Sequence, residues 1–138
     1  MNKKFRITFL IGISLIFCAL IPYPTGSPGG KTGSVTDSKT CTQCHGGTAT
    51  KVTGWITTNI PDSGYIPGVS YTITPIGTHT GVVKFGFELT AEDNSGAKIG
   101  SFIITNAGQT KLVNSNTAVT HTSGGNTPAG NSKTWSFD

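Results

Sequence analysis

Cys41-Thr42-Gln43-Cys44-His45 is the stretch of this chain whose residue types and spacing carry a recognisable chemistry. Two thiols separated by two residues, with a histidine directly after the second, form the C-x-x-C-H pattern of covalent haem attachment. Each thiol can bond one vinyl group of the same porphyrin edge, so Cys41 and Cys44 are the thioether candidates. His45 can then reach beneath the ring and offer an imidazole nitrogen to the iron as proximal ligand. Its other ring nitrogen is expected on a backbone carbonyl. Three other readings of the same residues stay open. A Cys41–Cys44 disulfide would suit an exported adhesion or structural module. A structural zinc site wants four ligands, and no second cysteine pair exists. A thioredoxin-like redox pair wants a βαβ setting, which the sequence lacks.

A c-type haem needs its sixth iron position explained. Methionine is the usual high-potential ligand, but the only methionine is Met1, which would leave with an N-terminal leader. The remaining histidines are His79 and His121. His121 is the favoured second ligand, because Val119-Thr120-His121-Thr122 is a β-branched run in which a stiff strand could aim the imidazole. A polar strand residue is the plainer alternative. His79 sits between threonines in a loop and reads first as a solvated histidine. Two histidine ligands would give a low-potential electron-transfer haem, and an open position would admit small ligands. The ten residues after His45 hold no carboxylate, so an acid/base enzyme such as a peroxidase is less supported than an electron carrier or binding module.

The compartment follows from the first residues. Lys3, Lys4 and Arg6 precede an apolar run from Ile7 to Leu20, the pattern of a secretory signal peptide assigned to residues 1–25, with the cleavage point unreadable. The run is short for a membrane span. Cys18 follows the bulky Phe17, which argues against lipidation at that cysteine. Export and covalent haem attachment agree, since both belong outside the cytoplasm, at the cell surface, in the periplasm or beyond. The formal charge of +4 is concentrated in the leader; the remainder has seven lysines against six carboxylates. No basic patch invites nucleic acid. The redox partner is unspecified.

The elements that must position the motif read as β-structure. Residues 26–50 are rich in Gly, Pro, Ser and Thr and are expected as a surface linker carrying the motif; Gly46-Gly47 keeps any helix there short. Residues 51–138 show short strands and regular turns. The expected strands are Val52–Ile60, Val69–Thr74 with Val69, Tyr71 and Ile73 facing one way, and Val83–Ala91 with Val83, Phe85, Phe87, Leu89 and Ala91 on the buried face. Weaker strands are expected over Ile99–Thr105 and Lys111–Thr122, and a last one begins at Thr134. Residues 75–81 read as a loop. Trp55, Tyr65, Tyr71, Phe85, Phe87 and Trp135 could wall a haem, but alternation places them in a core first. The expected class is an all-β, Ig-like antiparallel sandwich. The chain stops within the last expected strand, so a truncated C-terminus is expected too.

Residues 65–137 resemble the reelin-type (Reeler) extracellular β-sandwich. The resemblance is carried by Tyr65-Ile66-Pro67-Gly68-Val69-Ser70-Tyr71, Phe85-Gly86-Phe87-Glu88-Leu89-Thr90-Ala91, Gly100-Ser101-Phe102, Thr120-His121-Thr122 and Trp135-Ser136-Phe137. Residues 25–138 as a whole are similar to bacterial exported proteins, of the choice-of-anchor kind, in which a Reeler-like domain follows a Gly/Pro-rich segment and a C-x-x-C-H. The resemblance implies an Ig-like sandwich, export, and often a C-terminal sorting signal that would anchor the protein to the cell surface. The chain is expected to end before such a signal, and the sandwich cysteines of animal Reeler domains have no counterpart after Cys44.

Overall fold

The computed structural model describes residues 23–138; the expected signal peptide lies almost wholly outside them. The described chain is mostly β. One four-residue helix, α1 (Thr42–His45), precedes six strands: β1 (Ile56–Thr58), β2 (Ile73–Thr78), β3 (Glu88–Thr90), β4 (Thr110–Val113), β5 (Ala118–His121) and β6 (Ser132–Thr134). They form two antiparallel three-stranded sheets, ordered β1-β2-β6 and β3-β5-β4. An all-β fold is therefore what the sequence folds into.

Glycines and local side-chain bonds make the strands shorter than the sequence suggests. Gly54, at φ 83°, breaks the first expected strand, and only Ile56–Thr58 pairs. Gly100, at φ 71°, interrupts Ile99–Thr105, which forms no strand. Ile103 instead exchanges backbone hydrogen bonds with Asp138 at 2.6 and 3.1 Å. The expected strand Lys111–Thr122 is a hairpin. Asn114, Ser115 and Asn116 take φ of 55°, 55° and 68°, a left-handed run that asparagine tolerates better than most residues. The Thr117 amide and hydroxyl both donate to the Asn114 carbonyl and close the turn.

The second expected strand is displaced rather than shortened. β2 begins at Ile73 and runs through the stretch read as a loop, including Pro75. The proline is accommodated at a change of ladder: β1 pairs with residues 73–75, while β6 pairs with residues 76–78. Pro75 needs no donor there, and its carbonyl accepts the Trp135 N–H at 3.0 Å. Val69 is half exposed and Val83 is 77% exposed, so neither belongs to the core expected for it.

The buried apolar side chains are few: Ala118, Val119, Trp135 and Phe137. Ala118 and Val119 lie in β5, and the two aromatic residues gather where the chain leaving β6 meets the chain entering β3. Phe87 lies 4.7 Å from the Trp135 ring and stacks on Phe137 at 6.0 Å, and Phe102 meets Phe137 edge-on at 5.8 Å. Such geometries exploit the ring quadrupole. The Trp135 indole N–H donates to the Gly125 carbonyl at 2.6 Å, so its polar end is satisfied. Phe137 is also pinned by its backbone, which exchanges hydrogen bonds with Ile73. Phe137→Ala is expected to cost about 3–5 kcal/mol, read as a lower urea midpoint with little change in the slope of the unfolding transition. A loss below about 1 kcal/mol would mean that the cluster is not the core.

Candidate functional site

The motif-bearing segment is bonded down onto the sheet β3-β5-β4. Alternation in β3 turns Leu89 one way and Glu88 and Thr90 the other, and residues 26–38 lie across the Glu88 side. The Ser27 amide donates to the Thr120 hydroxyl of β5 at 2.9 Å. The Ser27 hydroxyl and the Lys31 amide both donate to the Glu88 carboxylate. Beyond them the Ser34 hydroxyl donates to Glu92 at 2.5 Å. Lys98 bridges Glu92 at 2.6 Å and Asp37 at 3.0 Å, with both carboxylates almost wholly covered. The Thr36 hydroxyl donates to the Gly96 carbonyl. Gly26 is needed where the segment arrives: it sits at φ 120°, and a Cβ there would collide with the His121 carbonyl.

This docking delivers the motif. Cys41 begins the turn and accepts the amides of Cys44 and His45 on its carbonyl. α1 ends at Gly46, whose φ of 66° reverses the chain while its N–H donates to the Thr42 carbonyl. Cys41 and Cys44 are unpaired thiols on this one turn, and both residues are exposed, as is His45. Although the residue is exposed at its outer edge, the Cys41 thiol lines the cleft and is pushed above its ordinary pKa of 9.0, first by loss of water on that side and next by the Glu88 carboxylate. It is therefore a thiol rather than a thiolate at neutral pH.

The turn forms part of the lining of a cleft of about 160 Å³. Cys41, Cys44 and His45 contribute to it with Tyr23, Ser27, Pro28 and Lys31 of the docked segment. Gly86, Phe87 and His121 complete it from the sheet. The structure thus brings His121 together with the C-x-x-C-H residues. His79 is elsewhere: it is exposed just past β2, its Nδ1 2.9 Å from the Thr80 carbonyl. Met1 and Cys18 lie outside the described residues. Of the aromatic residues, Phe87 serves both cleft and core, Trp55 and Tyr65 are exposed, and Phe85 packs against Gly77.

His121 ends β5, every residue of which is buried. Its Nδ1 lies 3.2 Å from the Phe87 N–H and 3.4 Å from the Phe87 carbonyl. Gly86 leaves the ring its space, since a Cβ there would stand 2.5 Å from Cε1. Burial holds the imidazole below its ordinary pKa, the Phe87 and Tyr23 carbonyls oppose that, and Lys111 adds to it. His121 is accordingly neutral near pH 7. Among the described residues no three His, Cys, Asp or Glu side chains converge as a metal-holding set. That is no obstacle to a haem, whose iron asks the protein for one or two axial groups. No helix among the described residues is long and apolar enough to cross a membrane.

Sequence reasoning missed Glu88, Gly86, Lys31 and Tyr23. Glu88 occupies the outward position of an alternating strand and reads as solvated; only the segment folded over it makes it part of the site. No protein family, curated protein or solved structure matches this chain.

Two outcomes follow from the charges. Glu88→Gln should lower the Cys41 pKa toward, but not below, its ordinary 9.0, because burial is the larger cause. The pH dependence of Cys41 alkylation in a Cys44→Ser background reads this, and an unchanged or raised pKa would remove Glu88 from the site. Glu92 is held below its ordinary 4.5 by Lys98 and then Ser34. Burial pushes Asp37 up, but the bonds from Thr32 and Lys98 bring it below 3.8. Carboxylates depressed in the folded state stabilise it fully above their unfolded pKa values, and that stabilisation is lost as the pH falls through the folded ones. Amide protection in residues 31–38 should therefore fall as the pH drops below these ordinary carboxylate values, and Lys98→Met should weaken that step.

Proposed function

We propose that this chain is an exported c-type haem-binding protein that passes single electrons at the cell surface or in the periplasm, built on an Ig-like, Reeler-like sandwich. The observation that carries the reading is that a C-x-x-C-H turn with two unpaired thiols shares a cleft with a histidine from a distant strand. The donor set fits the group. Cys41 and Cys44 would hold it through thioethers, and His45 would ligate the iron from the same turn. When bound, haem supplies a reversible one-electron change at its iron.

The chain's own residues have separable tasks. Gly46 stops the helix after His45, so the imidazole stands at the end of the turn with no further helix to cover it. Phe87 and Pro28 give the cleft apolar surface, which favours a flat apolar body over water. The motif residues are exposed, so a group held by them would be within reach of a redox partner. The two antiparallel sheets and the aromatic cluster between β6 and β3 support the sandwich, as does the likeness of residues 65–137 to Reeler domains.

The test is intact mass and haem staining of a denaturing gel, on the chain exported from cells that also express cytochrome-maturation genes. The expected result is an adduct of one haem, absent from Cys41→Ala/Cys44→Ala. His45→Ala should keep the adduct and lose the proximal-ligand spectrum. A chain lighter by a pair of hydrogens and carrying no haem would mean a Cys41–Cys44 disulfide, and the protein would be an adhesion or structural module.

A further inference from the structure

We propose that His121 serves the cleft as a hydrogen-bond donor to a small ligand, leaving the second axial position of the iron open, rather than as an iron ligand itself. The inference rests on the haem reading of the C-x-x-C-H turn and adds a ligand-binding role to it. It comes from counting lone pairs. A neutral imidazole has one N–H and one lone pair, and ligation to iron uses the lone pair. In this structure the His121 Nδ1 accepts the Phe87 N–H at 3.2 Å. The proton is then on Nε2, and the ring has no lone pair left to give.

The reverse tautomer is poorly provided for. It would need Nδ1–H to donate to the Phe87 carbonyl or to the Thr120 hydroxyl oxygen, each 3.4 Å away, and the carbonyl already accepts the Thr120 hydroxyl at 2.6 Å. It would also strip the Phe87 N–H of its acceptor, and a covered amide without a partner is costly. The ring cannot swing to escape. β5 is the central strand of its sheet and is wholly buried, and Gly86 lies against the imidazole edge.

The ligand class follows from the surroundings. It must accept a hydrogen bond from Nε2–H, and it must be small, since the cleft measures about 160 Å³. Lys31 is the one lysine in the lining, and neither an ion pair nor a hydrogen bond from its ammonium group is formed among the described residues. Its charge is set against that of Glu88, which Cys41 of the same lining feels, so the ligand class rests on size and on the hydrogen bond it must accept.

The first test needs no haem. In ¹⁵N-labelled protein, long-range couplings of the His121 ring should show Nε2 protonated and Nδ1 bare; a protonated Nδ1 overturns the proposal. The second uses the haem-loaded chain, reduced, with carbon monoxide as probe. Binding should be prompt, and the C–O stretch should move to higher wavenumber in His121→Leu and return toward the wild-type value in His121→Gln, which keeps an N–H donor. A six-coordinate spectrum that resists carbon monoxide and becomes five-coordinate in His121→Ala would make His121 an axial ligand and overturn the proposal. If no haem adduct forms while Nε2 carries the proton, the haem reading falls and takes the ligand role with it; the tautomer stands by itself.

Discussion

Glu88 and Glu92, two carboxylates on the same side of the chain at β3, hold the motif-bearing segment against the sheet. Glu88 takes the Ser27 hydroxyl and the Lys31 amide; Glu92 takes Ser34 and shares Lys98 with Asp37. Without these bonds residues 26–40 would be a Gly/Pro-rich tether, and the C-x-x-C-H turn would have no fixed place. The charges are partly removed from water, which is costly, and the cost is offset because each is bonded to several donors. No buried polar side-chain atom among the described residues lacks a partner. That completeness matters where only four apolar side chains among the described residues are buried, and polar docking has to do what a larger core would do elsewhere.

The same sheet serves both halves of the molecule. On one side of β3 and β5, Phe87 joins the aromatic cluster with Trp135 and Phe137. On the other, Thr120 takes the Ser27 amide while giving its own proton to the Phe87 carbonyl. Phe87 is therefore common to core, cleft and docking network: its ring packs on the core, its carbonyl receives Thr120, and its amide meets His121. A disturbance of the core would reach the cleft by a single residue. Gly86 next to it gives up a side chain so that the imidazole can lie against the backbone.

The arrangement separates anchoring from ligand control. On the proposed reading the covalent anchors and the proximal imidazole would come from one short exposed turn, whose geometry depends on local hydrogen bonds and Gly46. The opposing histidine comes from the most buried strand, and its protonation pattern is dictated by a peptide group. Local sequence can supply the first; the second needs a fold that brings β5 and the residues before β3 side by side.

What could be read from the sequence by itself was what depends on neighbours in the chain. The C-x-x-C-H turn, the short helix ended by Gly46 and the β character of residues 51–138 all follow from residue type and spacing. His121 was legible as a candidate because it sits in a β-branched run. Tertiary structure decided the rest. Alternation marked Glu88 as outward and could not say that residues 26–38 would cover it. A strand pattern over residues 111–122 could not show that three left-handed residues would fold it back on itself, nor could Pro75 announce that a change of ladder partner would admit it to β2. The proton position on His121 depends on the Phe87 amide, a group that no side-chain pattern encodes. Contacts between residues far apart in sequence are set by which faces bury one another, and a single sequence records those faces only after the chain has chosen its partners.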